Sequence, residues 1–382
     1  VTAGDPTTEV TADGVAAEPE PGDDRTAVGG GVPSSRNPVT WPPLALGALA
    51  SVVLLLWVGD NGYRQDLGVL AATYALIALG MYVPFVMAGS LSLAYSAYAG
   101  IGAYAVGVVS RDTGWPLWAA WLVAPVLSAV VAVILGLATR RLSGFYLGAV
   151  TLLFATAFET WLVDADGITG GSGGIGGIRD LTLLGWTPDR GQQLILATVL
   201  VLVLTFALDR LRQSPWGVLV RTMREVPVVV ESAGVRVPVL NLVALGLGAM
   251  IASLGGSLFA TFVGGVTPET FTVSVVFLAI FMPLIGGAGT PWGAVVGGLV
   301  VVELTLNFPA FSESGTLILS LGVLVILLVA PRGLLGYLDA IRTRLVPGGS
   351  GAGSGGSGAG RSGGSVLSRL GRPSGDRGSS RG

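Results

Sequence analysis

The chain of 382 residues contains no Cys and no His, and its 21 basic residues are all Arg, so Lys is missing as well. Each absence closes a route. Without Lys there is no Walker A lysine to grip nucleotide phosphates and no amine for a Schiff base. Without His or Cys there is no ordinary zinc site, no Ser-His-Asp or Cys-His nucleophile and no disulfide. Charge is also scarce: charged residues make up 12% of the chain, against about 25% in soluble domains. A net charge of -2 gives no electrostatic footing for a nucleic-acid partner. What fills the chain instead is 51% hydrophobic residues and 60 Gly, and glycine is more frequent in membrane helices than in soluble ones. No covalent chemistry, no cofactor and no metal are expected.

The ends and the middle differ in kind. Residues 1–40 are rich in Asp, Glu, Pro, Gly and Thr and predict a disordered acidic tail rather than a signal peptide. Residues 346–382 are almost wholly Gly, Ser and Arg, a flexible basic tail suited to solvent or to anionic lipid headgroups. Between them, 41–345 forms one membrane domain. About 20 apolar residues suffice to cross the hydrocarbon as a helix. Apolar runs fall at 41–58, 67–88, 91–109, 116–138, 145–163, 192–208, 239–263, 272–286, 293–306 and 316–330. They do not alternate as barrel strands would, so the expectation is an all-α, polytopic protein with about ten spans (eight to ten). Several runs are short, which predicts tilted or re-entrant segments near 91–109 and 272–306.

Ten spans put both ends of the chain on one side. Loops 139–144, 209–238 and 331–345 then share that side and carry Arg140, Arg141, Arg210, Arg212, Arg221, Arg224, Arg236, Arg332, Arg342 and Arg344; the opposite loops carry Arg64, Arg111, Arg179 and Arg190. The positive-inside rule makes the ten-Arg side cytoplasmic. On that side the longest polar break is 209–238. Within it Ser214-Pro215 has the form of an N-cap followed by proline at the first helical position. Pro227 restarts a second short helix, and Gly234 is a suitable C-terminal glycine. Read from the residues alone, this helix pair needs a partner or the membrane surface to cover its apolar side.

The residues that follow resemble one family. Ser214-Pro215-Trp216-Gly217, then Arg221, Arg224-Glu225 and Glu231-Ser232-Ala233-Gly234-Val235 are similar to the coupling loop of the LivM-type permeases of branched-chain amino acid ABC transporters. Gly144-Phe145-Tyr146-Leu147 with Val150-Thr151-Leu152, Thr169-Gly170-Gly171-Ser172, Gly286-Gly287-Ala288-Gly289-Thr290, and Ala330-Pro331-Arg332-Gly333-Leu334 resemble further family blocks, in family order. The resemblance implies a permease subunit importing Leu, Ile or Val across the cytoplasmic membrane. It implies four kinds of surroundings: a second homologous permease, two cytoplasmic ATPase subunits, an extracytoplasmic substrate-binding protein and membrane lipids. Ser214, Pro215, Arg221, Arg224, Glu225, Glu231 and Gly234 would then couple the permease to the ATPase. Thr169, Gly170 and Gly171 would face the binding protein.

Candidate pathway residues are Ser92, Tyr95, Tyr98, Thr151, Glu159 and Glu303. Where the family carries Ser-Leu-Gly-His, this chain has Ser92-Leu93-Ala94-Tyr95, so Tyr95 stands in place of a histidine. Helix packing and a pathway lining both fit Tyr95 and Tyr98. A membrane Glu that the family often carries corresponds here to Thr156, with Glu159 three residues on along the same side of the helix. A mid-membrane acid costs about 2.5–3.5 kcal/mol, so Glu159 and Glu303 should face the protein interior or water. The glycine loop at 170–177 lacks a Lys and is read as a surface turn, not a phosphate cradle. Gly144/Gly148 and Gly293/Gly297 predict close helix packing. Two other readings stay open: a urea or short-chain amide permease of the same general type, and an ion-coupled secondary transporter.

Overall fold

The computed structural model describes residues 61–142, 144–182, 187–287 and 289–307, together with 47, 49, 51, 58 and 59. Eight of the ten apolar runs fall on helices. The run at 41–58 is described at only a few helical positions, and 316–330 and both tails lie outside the described residues, as do Arg332, Arg342 and Arg344. Eleven helices follow one another among the described residues. They are α1 (Gly62–Met81), α2 (Tyr95–Asp112), α3 (Leu117–Ala138), α4 (Gly144–Asp164), the single turn α5 (Asp166–Thr169) and α6 (Arg190–Gln213). Then come the short α7 (Pro215–Glu225) and α8 (Pro227–Ser232), the long α9 (Val237–Val263), α10 (Val273–Gly286) and α11 (Pro291–Asn307). The all-α expectation holds except for one small ladder. Strands β1 (Ile175–Gly176) and β2 (Gly265–Val266) pair antiparallel, Ile175 opposite Val266.

Six helical stretches among the described residues are long and apolar enough to cross a membrane: Gly62–Met87, Leu117–Ala138, Gly144–Asp164, Arg190–Gln213, Val237–Val263 and Pro268–Gly286. Helix α2 is more polar than these, yet most of it is enclosed, with Tyr95, Ala99, Ala103 and Val106 at zero exposure. It runs unbroken for 18 residues from Tyr95, so the 91–109 run is one continuous helix from that residue on, preceded by a short non-helical approach.

Helix α9 is the hub, packed against α1, α2 and α3. Its 27 residues span roughly 40 Å at 1.5 Å per residue. Its sequence repeats Gly, Ala and Ser, which lets neighbouring backbones approach. A Cβ on Gly256 would overlap the Ala99 carbonyl of α2, and one on Gly102 would overlap the Ser253 carbonyl of α9. Gly80 of α1 and Gly248 of α9 meet in the same way. Hydroxyls stitch these contacts: Ser128 Oγ donates to the Ala249 carbonyl at 3.1 Å, and Ser257 Oγ to the Gly102 carbonyl at 3.1 Å. Helices α10 and α11 form an antiparallel hairpin packed through Gly286, Gly293 and Gly297, as the Gly293/Gly297 spacing predicts. Gly144 does otherwise. It has open space around its Cβ position and a φ of +56°, so it turns the chain into α4 while Gly148 alone packs, against Leu91 and Leu93.

The two ends of this bundle are chemically distinct. Near the start of α9 lie α7–α8, the end of α6 and the end of α3, where Gly136 faces Leu242. These carry Arg140, Arg141, Arg210, Arg212, Arg221, Arg224 and Arg236. Near the end of α9 lie the ladder and the glycine loop. Exposed aromatic residues lie at both ends: Phe145 and Tyr146 at the first, Trp115, Trp118 and Trp161 at the second. Trp and Tyr are enriched at membrane–water interfaces.

Candidate functional site

The pair α7–α8 is built by local chemistry. Ser214 Oγ accepts from the Gly217 amide at 3.3 Å and donates to the Leu211 carbonyl at 2.6 Å, so one side chain closes α6 and opens α7. Pro215 sits at the first turn, where no amide partner is needed. Gly217 is pressed onto the end of α6: a Cβ there would overlap the Leu211 carbonyl. At the far end, Gly234 (φ +79°) ends α8. Its amide donates to the Glu231 carbonyl at 2.9 Å and the Val235 amide donates to the Val230 carbonyl at 3.2 Å, the paired bonds of a Schellman stop.

The charged residues of the pair divide into two groups. Arg221 turns inward: its Nε donates to the Gly217 carbonyl at 3.3 Å and an Nη donates to the Arg212 carbonyl at 3.2 Å, capping α6. Arg224 reaches from α7 to the Val86 carbonyl at the end of the first span. Glu225 and Glu231 are exposed. So are Val218, Val226, Val228 and Val229, with Val228 70% exposed, while Val220, Met223 and Val230 are buried and anchor the pair. The outward face is therefore an apolar patch edged by two carboxylates, and no described element covers it.

The segment that Arg224 touches is the least regular part of the core. Pro84 lacks the amide that would bond the Gly80 carbonyl, and α1 widens there into a π-helical turn, Tyr82–Met87. The chain then runs without regular structure through 88–94, with Gly89 in the left-handed region, before α2 begins. Three helices grip this connector. Arg224 of α7 caps Val86. Ser90 Oγ lies 2.5 Å from Asn241 Oδ1 on the first turns of α9. Thr151 Oγ1 of α4 accepts from the Leu93 amide at 2.8 Å while donating back to its own helix. Thr151 is thus placed as a brace. Ser92, Tyr95 and Tyr98 follow directly and are all buried. The two tyrosine rings meet edge to face at 5.4 Å, and the Tyr98 hydroxyl lies beside Ser92. The hydroxyls of Tyr95, Thr73 and Ser253 are buried without a hydrogen-bond partner among the described residues.

Glu159 sits apart from that cluster, partly buried on α4 with the exposed Thr156 and Thr160 near it in sequence. Glu303 is partly buried on α11. These six candidates therefore form one tight group (Ser92, Tyr95, Tyr98, with Thr151 beside it) and two outlying acids. At the other end, Thr169 is buried, its hydroxyl donating to the Leu162 carbonyl at 2.6 Å or that of Ala165 at 2.9 Å and accepting from Gly171 at 3.2 Å. Gly170 (φ +76°) and Gly171 bend around it. The outward surface here is formed by Ile168, Ser172 and Gly173. Arg179 fastens the loop by donating to the Thr113 carbonyl at 2.9 Å, and Arg111 by donating to the Ile168 carbonyl at 2.9 Å. The Arg111 hydrogen bond also holds the exposed Asp112 carboxyl below its ordinary range.

Sequence reasoning missed the connector at 88–94. Its signals were Pro84 four residues after Gly80 in an otherwise apolar run, and Asn241, a lone amide near the start of α9.

Long apolar helices, arginines concentrated at one end and exposed aromatics at both define a multi-pass membrane protein. Residues 64–330 match the family described as branched-chain amino acid transport system / permease component, and the chain belongs to that family. It is 29% identical over 295 residues to the high-affinity branched-chain amino acid transport system permease protein LivM of Escherichia coli K12, covering 71% of this chain and 69% of the relative. It is 26% identical over 271 residues to the probable LivM of Methanocaldococcus jannaschii, covering 69% of this chain and 70% of that one. It is also 25% identical over 302 residues to the Escherichia coli K12 permease protein LivH, covering 70% and 92%. No solved structure matches it.

Proposed function

We propose that this chain is one membrane-spanning subunit of an ABC importer that carries branched-chain amino acids across the cytoplasmic membrane. In this reading it has about ten spans and both ends of the chain in the cytoplasm. A second homologous permease stands beside it, two ATPase subunits bind below and an extracytoplasmic binding protein delivers solute above. Similarity to both LivM and LivH supports a paired permease. The concentration of arginines at the α7–α8 end supports a cytoplasmic assignment for that end. The single observation that carries the reading is the outward face of α7–α8: Val226, Val228 and Val229 exposed beside Glu225 and Glu231 on a pair fixed firmly by caps. A rigid apolar patch outside the membrane needs a protein to cover it. The chain has no Lys of its own for nucleotide, which fits an ATPase on another chain. Movement of that partner would pass to the spans as a rigid-body shift. Arginines and acids are few in the spans, which favours a zwitterion with an apolar side chain over a highly charged solute.

Stoichiometric co-purification with an ATPase tests the assembly, and its absence from membranes holding the whole operonic set would remove it. Uptake of labelled leucine tests the solute. Competition by valine and isoleucine is expected; competition by urea or acetamide instead would move the chain to the amide class. Uptake that survives ATP depletion and collapses with an uncoupler would make it an ion-coupled carrier.

A further inference from the structure

We propose that Arg224 is a positioning residue that ties the partner-docking helices to the connector at 88–94, so that α7 movement is delivered to the junction between α1 and α2. The proposal rests on the reading of α7–α8 as a docking pair. Its geometry, however, stands within this chain.

A helix leaves its last carbonyls without internal partners, and a cation near that end is favoured by the dipole as well. The π-helical turn meets part of this need by itself: the Ala88 amide donates to the Val83 carbonyl at 3.2 Å and the Ser90 amide to the Pro84 carbonyl at 2.8 Å. The Val86 carbonyl is met by the Arg224 guanidinium, which arrives from 138 residues further along the chain. Space is shaped for it. Gly89 has a φ of +71°, and a Cβ there would come within 2.7 Å of Arg224 Cγ. The arginine stem therefore lies over the turn while its head group holds the carbonyl. π-helical turns are found disproportionately at functional positions, and this one separates two helices that must keep their own packing.

The same connector is held by Asn241 through Ser90 and by Thr151 through the Leu93 amide. Three helices thus converge on the stretch from Val86 to Leu93, and Arg224 is the member that belongs to the docking pair. A pull on α7 reaches α1 and α2 through Arg224. The other two grips carry it on to α4 and α9. Arg221, by contrast, holds α7 to α6 and makes the pair move as a unit.

The test uses three variants, Arg224→Ala, Arg224→Lys and Gly89→Ala, each as the purified permease and in the assembled transporter. Gly89→Ala pushes on the arginine stem from the connector side and leaves the docking face untouched. The first readout is amide hydrogen exchange at 88–93 in the purified permease. Arg224→Ala and Gly89→Ala should both raise it, and Arg224→Lys should return it toward the parent value. The second readout is solute imported per ATP hydrolysed. Arg224→Ala and Gly89→Ala should each lower it about tenfold with ATPase association unchanged, and the double variant should be no worse than either single one. Unchanged exchange in Arg224→Ala overturns the tie itself. Loss of ATPase association in Arg224→Ala, with normal coupling in Gly89→Ala, makes Arg224 a docking residue and overturns it as well. Because exchange is read on the permease alone, failure of the transport reading shows separately, as a parent protein that binds no ATPase.

Discussion

The core formed by α1, α2 and α9 and the pair α7–α8 are built on opposite rules. In the core, the span Gly62–Met87 is largely buried by the rest of the chain. Its contacts run backbone to backbone through glycines, and its side chains add little polar bonding beyond single hydroxyls. In α7–α8 the backbone is secured by caps, prolines and arginines, and while Val220, Met223 and Val230 anchor the pair, Val218, Val226, Val228 and Val229 are exposed. Between these extremes, α4 and α6 leave most of their apolar surface exposed, as helices that face lipid or another subunit do. A membrane protein gains nothing from hiding apolar side chains that lipid already accepts. Burial in the core therefore reports shape, whereas the exposed valines of α7–α8 form the face on which the proposed docking rests.

The largest effect should come from breaking the shape. Gly256→Leu puts a side chain where the Ala99 carbonyl lies, forcing α2 and α9 apart. Overpacking of this kind costs about 3 kcal/mol or more. The variant should lose its cooperative melting transition in detergent, whereas Gly246→Ala, whose Cβ would sit 3.5 Å from Val133, should melt like the parent. The next effect separates folding from docking. Val228→Asp combined with Val229→Asp touches side chains 70% and 53% exposed. The melting transition should be unchanged while ATPase association falls at least about tenfold; retained association would mean that this face is not the docking surface. A smaller effect belongs to the outer end. Thr169→Val removes a buried hydroxyl that holds the Leu162 carbonyl and receives the Gly171 amide. A loss of about 1–2 kcal/mol is expected, read as faster hydrogen exchange across 170–174 with ATPase association intact.

Much of this contrast is legible in the sequence. Long apolar runs locate the spans because a hydrocarbon layer sets one length for all of them. Ser214-Pro215 and Gly234 mark the bounds of α7–α8 because capping is a local rule, and the side chains that satisfy it sit within a few residues of the backbone they serve. What each arginine does is not local. Arg221 and Arg224 look alike in sequence, as two cations three residues apart on one short helix. Only the fold brings Val86 beneath one and the Arg212 carbonyl beneath the other. Thr169 and Gly144 mislead for the same reason. A Thr-Gly-Gly string reads as an exposed turn, but its threonine and its second glycine are buried. A Gly-x-x-x-Gly pair reads as packing, but its first glycine serves backbone geometry. Tyr95 and Tyr98 are placed by the fold in a closed, edge-to-face pair beside the connector, a position that no helical periodicity distinguishes from an ordinary apolar face.

The smallest expected effect is the sharpest test of what holds the core. Ser128 is fully buried and its Oγ donates to the Ala249 carbonyl across the α3–α9 contact at 3.1 Å. In Ser128→Ala that carbonyl is not orphaned, because it lies inside α9 and still accepts the amide four residues on. No cavity larger than one oxygen is left, and no polar group is stranded. Hydrogen bonds between membrane helices average about 0.6 kcal/mol, so the melting midpoint should move only slightly and transport should be unaffected. If Ser128→Ala instead destabilises the protein as much as Gly256→Leu, hydrogen bonding rather than close backbone contact holds α9 to its neighbours. The glycines would then be a consequence of the packing and not its cause.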